Sequence, residues 1–228
     1  MFFYDPYIWM LLVGVAIAIW AQARVSAAFN KYSKVLSLKG DSAANIARRL
    51  LDKNGLSDVP VELIDGDLTD HYDPAHRVLR LSQPVYNSTS VAAIGIAAHE
   101  VGHAVQHSEG YVPLKIRSAL VPVASFATYA SWILIIVGIL FGALGLAQIG
   151  VWIFGGAVIF QLVTLPVEFN ASGRALVSLS SGGFLYDEEV AQAKKVLSAA
   201  ALTYVAALLV SILQFLRLLL IFGGGRRS

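Results

Sequence analysis

Residues 119–144 and 147–167 contain no charged side chain. About 20 apolar residues in a helix cross the hydrocarbon layer of a bilayer. Within that layer the backbone must satisfy its own hydrogen bonds, which a lone segment does only as a helix. The two runs therefore predict a pair of transmembrane helices, with Gly145-Leu146-Ala147-Gln148 as the joint of a hairpin. Two further runs, Tyr7–Ala23 and Ala199–Phe222, are of similar length and bring the expected spans to four. Composition agrees, since 57% of residues are hydrophobic and only 14% charged, against about 25% charged in soluble domains.

The first run has two readings. Ala21-Gln22-Ala23 resembles the small-residue site of a signal peptide. However, no Lys or Arg precedes it and Asp5 does, which favours an uncleaved anchor. Orientation follows from the basic residues. Eleven of the seventeen Lys and Arg lie between positions 24 and 117, which places that segment in the cytoplasm and the N-terminus outside. Counting spans returns the chain to the cytoplasm after Val167, where Arg174, Lys194 and Lys195 follow. The tail is less simple. A fourth crossing would put Arg226 and Arg227 outside, against the rule. Either the rule fails there or the last run, interrupted by Arg217, does not fully cross.

The hydrophilic segment 24–118 predicts a small α+β unit. Asp41-Ser42 caps a helix whose apolar positions 43, 46, 47, 50 and 51 have helical spacing, and Gly55 ends it. Val61–Ile64, Leu68–Tyr72 and Arg77–Ser82 read as three strands of a small antiparallel sheet, the last two joined at Asp73-Pro74. Asn87-Ser88-Thr89-Ser90 then caps a helix over about 90–107, stopped by Gly110 and Pro113.

That helix carries His99-Glu100-Val101-Gly102-His103. Positions i and i+4 share a helix face, so two imidazoles can bind one zinc ion while Glu100 activates a water. A catalytic zinc takes three protein ligands. His107 lies a turn beyond His103, about 6 Å along the axis, and does not converge on the same ion. The extended metzincin pattern fails at Gln106 and Glu109. His71 and His76 read as exposed hairpin residues, and Asp187, Glu188 and Glu189 as the acidic start of a helix. Glu168 is different. It is the only charge between Arg117 and Arg174, and span parity puts it on the side of His99 and His103. Metal need and topology thus meet at Glu168.

His99–His103 followed by Glu168-Phe169-Asn170-Ala171-Ser172 resembles the HtpX and CAAX prenyl protease superfamily. Nearly the whole chain resembles the YugP-type bacterial neutral zinc metallopeptidases. The resemblance implies a gluzincin-like membrane peptidase holding one Zn²⁺ per chain through His99, His103 and Glu168, with Glu100 as the catalytic base. It also implies an extended substrate paired with an edge of the sheet, at Leu79, Arg80 and Leu81. Ser172 stands where the wider superfamily has an aspartate that orients a zinc histidine. A serine there brings a hydrogen bond without charge, with Arg174 close by. For the oxyanion, Arg174, Tyr186 and His71 remain candidates.

The expected class is thus a mainly α membrane protein of about four transmembrane helices with a small cytoplasmic α+β zincin-like subdomain. The expected divisions are 1–23 as anchor, 24–118 as the unit carrying the histidine helix, 119–167 as hairpin, 168–197 as the segment of the third ligand, and 198–228 as the last apolar helix and basic tail. The expected activity is zinc-dependent endopeptidase cleavage at the cytoplasmic face of a bacterial cell membrane. Its partners would be peptide or membrane-protein substrates and the lipid bilayer. Two other readings stand beside it: a zinc-binding scaffold without turnover, against which the intact Glu100 argues, and a transporter, which would carry ionisable groups within its spans. A net charge of +2 with no basic stripe gives no support for nucleic-acid binding. The absence of cysteine excludes disulfides and thiolate ligands.

Overall fold

The computed structural model describes residues 5–223. In chain order the elements are α1 (Ile8–Tyr32), α2 (Ala43–Lys53), β1 (Val61–Ile64), β2 (His71–Asp73), β3 (Val78–Ser82), α3 (Gln83–Tyr86), α4 (Val91–Ser108), α5 (Val112–Leu140), α6 (Leu144–Ser181) and α7 (Asp187–Phe222). They fall into two compact units. The first takes the chain up to Gln22, Lys115–Leu165 and the chain from Leu202 onward; the second takes Ala23–Leu114 and Pro166–Ala201.

Helices α1, α5, α6 and α7 are each long and apolar enough to cross a membrane. The protein is therefore mainly α and membrane-integral. In the first unit, Trp9, Trp20, Phe126, Tyr129 and Trp152 are exposed. A smaller set, Ile135, Ala147, Val151, Phe154, Leu218 and Phe222, packs inward. The joint between α5 and α6 lies at residues 141–143 rather than at Gly145–Gln148. Gly142 adopts φ +65° there, the left-handed conformation that ends a helix and that glycine tolerates without steric cost. Helix α7 runs unbroken past Arg217. The guanidinium has a partner, for Arg217 Nε donates to Asp5 Oδ2 at 2.8 Å and Nη1 to Gln214 Oε1 at 3.2 Å. Arg226 and Arg227 lie outside the described residues.

In the second unit, Ser42 caps α2 by accepting from Asn45 N–H at 3.3 Å. The helix buries Ala43, Ile46, Ala47, Leu50 and Leu51 along one stripe. The core joins this stripe to Leu79 and Leu81 of β3 and to Ile94, Ala97 and Val101 of α4. Ser90 caps α4 at 3.2 Å from Ala93 N–H.

The sheet is mixed, not antiparallel. Its order is β1-β3-β2, with β1 parallel and β2 antiparallel to β3. The strand expected at Leu68–Tyr72 begins only at His71. Gly66 and Leu68 have φ of 104° and 55°, which no extended strand allows, and Asp70 is tied to Ser82 N and Oγ at 2.8 and 2.9 Å. One consequence corrects the expected substrate strand. Leu79, Arg80 and Leu81 sit on the central strand, whose main chain is paired on both sides, and the leucine side chains are in the core. They offer no edge to a substrate. The edge strand beside α4 is β2.

Helix α6 does not end with its apolar run at Val167. Ala171, Ala175 and Leu179 continue a buried stripe at i, i+4 spacing, and carry Glu168, Ser172 and Arg174 on the same helix to Ser181.

Candidate metal centre

The i, i+4 spacing on α4 brings His99 and His103 edge to face, with ring centroids 4.7 Å apart and Nε2 atoms 3.1 Å apart. Glu168 of α6 is buried, and its Oε2 lies 3.3 Å from His99 Nε2 and 3.7 Å from His103 Nε2. Among the described residues, these three could offer ligand atoms to one ion. The triangle can be tested against zinc. Ligand bonds of about 2.0–2.2 Å in tetrahedral array place neighbouring donor atoms about 3.3–3.6 Å apart. Sides of 3.1, 3.3 and 3.7 Å bracket that value. Two imidazoles and a carboxylate are also a donor set that zinc accepts.

The triangle is small because α4 and α6 approach closely. A Cβ on Gly102 would stand 2.6 Å from the carbonyl oxygen of Ala171. The glycine inside the histidine motif is therefore a spacing residue.

Both Nδ1 atoms are occupied. His99 Nδ1 is 3.0 Å from Ser172 Oγ, and His103 Nδ1 is 3.0 Å from Gln106 Oε1. Gln106 is fully buried. Its Nε2 donates to Val167 O and to Asn170 Oδ1, both at 2.9 Å. Arg174 Nε donates to the same Asn170 oxygen at 2.7 Å, and Arg174 Nη2 pairs with Glu109 at 2.7 Å. Ser172 thus contacts a histidine directly, whereas Arg174 reaches one only through Asn170 and Gln106.

Glu100 is buried beside the pair. Burial pushes its carboxyl above the ordinary carboxylate range, partly offset by His99 and His103. Its Oε2 accepts from Tyr72 N–H at 3.0 Å, so the main chain of β2 faces the glutamate. The Tyr72 phenol hydrogen-bonds His107 Nδ1 at 2.9 Å, which accounts for the histidine in the last turn of α4. His71 and His76 are exposed, the latter 2.7 Å from Asp73. Tyr186 is exposed, and its N–H donates to Glu189 at 2.8 Å. Glu189 also accepts from Leu38 N–H at 2.8 Å, closing the start of α7.

Tyr72, Gln106 and Asn170 escape a reading of the sequence. Gln106 gives a weak signal, an amide three positions beyond a histidine in an otherwise apolar run. Tyr72 gives none, because its part is played by the backbone.

Residues 7–223 match the family model described as "Putative neutral zinc metallopeptidase". The chain is 51% identical over 220 residues, 96% of its own length and 98% of the relative's, to "Putative membrane protease YugP" of Bacillus subtilis (strain 168). No solved structure matches. The histidine–histidine–glutamate triangle, the four membrane-length helices and these two matches agree, and the chain belongs to the neutral zinc metallopeptidase family.

Proposed function

We propose that the protein is a zinc-dependent endopeptidase that cleaves peptide or membrane-protein segments at the cytoplasmic face of the cell membrane. The observation that carries this reading is the triangle of His99 Nε2, His103 Nε2 and Glu168 Oε2 beside the buried carboxyl of Glu100. One zinc ion per chain would be held by these three residues. When bound, it supplies a Lewis acid that polarises a peptide carbonyl and makes a water acidic near neutral pH.

The rest is the work of the chain. Glu100 accepts a proton from water as the water oxygen bonds to the scissile carbonyl carbon. It then delivers that proton to the departing amine as the C–N bond breaks. Tyr72 N–H steadies the glutamate, and Ser172 orients His99 by a hydrogen bond in place of a charged partner. An extended substrate lies along the β2 edge, pairing through main-chain groups other than Tyr72 N–H, which Glu100 holds. The positive-inside distribution of residues 24–117 supports the cytoplasmic orientation.

Glu100→Gln tests the chemistry. It should keep zinc and lose peptide cleavage by about 10² to 10⁴, and wild-type turnover would end the general-base role. Orientation is tested by single cysteines, since the chain has none of its own. An impermeant thiol reagent on intact cells should label Ala143→Cys and spare Ser57→Cys and Ser180→Cys. The opposite pattern would move the site to the outer face.

A further inference from the structure

Gln106 is 0% exposed, and a buried amide costs free energy unless its atoms are matched. Its partners decide which end faces which way. Val167 offers a carbonyl oxygen, which only accepts, 2.9 Å from Gln106 Nε2. Arg174 only donates, so the Asn170 atom 2.7 Å from its Nε is the amide oxygen. Gln106 Nε2 lies 2.9 Å from that same oxygen. Two fixed partners thus claim both N–H groups of the Gln106 amide. Its Oε1 is left facing His103 Nδ1 at 3.0 Å, and it can only accept. Nδ1 must therefore carry the hydrogen, and the lone pair of the neutral ring falls on Nε2, the atom that faces Glu168. His99 is held differently. Ser172 Oγ at 3.0 Å from its Nδ1 can donate or accept, so it permits either tautomer; without an ion, the bare His103 Nε2 at 3.1 Å and Glu168 Oε2 at 3.3 Å draw the hydrogen to His99 Nε2.

We infer that Gln106 is a positioning residue that sets His103 as its Nδ1–H tautomer before any ion arrives, whereas His99 switches tautomer against the rotating Ser172 hydroxyl when an ion takes its Nε2. The ligand role of Nε2 rests on the zinc-site reading above; the tautomer does not. One ligand is thereby preset by a rigid amide and the other adapts through a rotating hydroxyl. The two halves of a symmetric-looking motif then have different duties. Partners of this kind around metal histidines are worth about 10- to 100-fold in metal affinity.

The test uses the full-length protein in lipid nanodiscs with ¹⁵N-histidine; five histidines make the spectrum tractable. In zinc-free protein at alkaline pH, His103 should be the Nδ1–H tautomer with a slowly exchanging proton. Added zinc should change the tautomer of His99 alone. Gln106→Met keeps the volume and removes the amide. It should mix the His103 tautomers and weaken zinc about 10- to 100-fold in chelator competition. Gln106→Glu keeps an acceptor for His103, and its protonated carboxyl can still donate to Val167, so it should recover most of that loss. An Nε2–H tautomer at His103 in the wild type would overturn the inference. So would a Gln106→Met protein with unchanged zinc affinity and unchanged His103 signals. If Gln106→Met fails to fold, the wild-type spectrum decides. A wild type that shows this tautomer and binds zinc but cleaves no peptide would uphold the positioning role and remove only the peptidase reading.

Discussion

The two units use the same kind of side chain in opposite ways. In the second, the large apolar residues are inside: Ile46, Leu50, Leu51, Leu79, Leu81 and Ile94 are inaccessible to solvent. In the first, many of the largest face outward; Phe126 is 76% exposed and Tyr129 75%. The second unit is organised by the removal of apolar surface from water. The first has the surface of a body solvated by lipid, where apolar contact between helices has no such driving force and close packing takes its place. Polar chemistry divides in the same manner. The second unit holds a network of two histidines, two glutamates, a glutamine and an asparagine around one point, of which Glu100, His103, Gln106 and Glu168 are buried. Among the described residues of the first, the buried polar side chains are Ser131, Thr164 and Gln214, with Asp5 and Arg217 paired and half-buried. A site of this chemistry belongs in a packed interior, where hydrogen bonds fix each ring and carboxylate.

The largest expected effect is at the proposed ligands. His103→Ala or Glu168→Ala should take zinc content from one ion per chain towards none by elemental analysis. Phe126→Ala should leave it unchanged. Full occupancy in Glu168→Ala would remove the third ligand and with it the reason for the buried network.

Truncating core and outward-facing residues should separate the two units in stability. Leu50→Ala should destabilise the second unit by about 2–5 kcal/mol, since it opens a cavity in a closed core. Phe126→Ala should change stability in micelles by less than about 0.5 kcal/mol, because most of its side chain lies outside the packed interior. Equal losses on thermal unfolding would mean that the two units do not differ as described.

Two smaller effects follow. Gly102→Ala should cost about 1–3 kcal/mol, because the obstructing atom is the Ala171 backbone, which cannot swing aside as a side chain can. Arg217→Met should cost about 1–2 kcal/mol by stranding Asp5, less than a fully buried pair because both groups retain some exposure. Adding Asp5→Asn should restore most of it. A double variant no better than the single would mean that the pair does not act as a unit.

Much of the second unit was legible because its signals are local. The caps at Ser42 and Ser90, the apolar stripe of α2 and the i, i+4 histidines each need only a few neighbouring residues. Glu168 was legible for another reason: a lone carboxylate in a long uncharged stretch must have a purpose. What the sequence concealed is long-range. The parallel pairing of β1 with β3 depends on how the loop after Ile64 turns back, and strand propensity says nothing of direction. The extension of α6 beyond Val167 was hidden because hydropathy falls where the helix becomes amphipathic, not where it stops. Gln106 was legible only as a mismatch to another family's motif. Its value lies in partners 61 and 64 positions away.

The contact at Gly102 also bears on which ion the site accepts. The distance between α4 and α6 sets the separation of the carboxylate from the imidazoles, and a hydrogen atom in place of a methyl sets that distance. Such a triangle suits an ion with bonds of about 2.0–2.2 Å. It is too tight, and too poor in oxygen, for calcium, which prefers six to eight oxygens at about 2.3–2.6 Å. On the proposed site, ion discrimination would thus rest partly on a residue that never touches the ion. A gap widened at position 102 would relax the preference for small cations while every ligand stayed in the sequence.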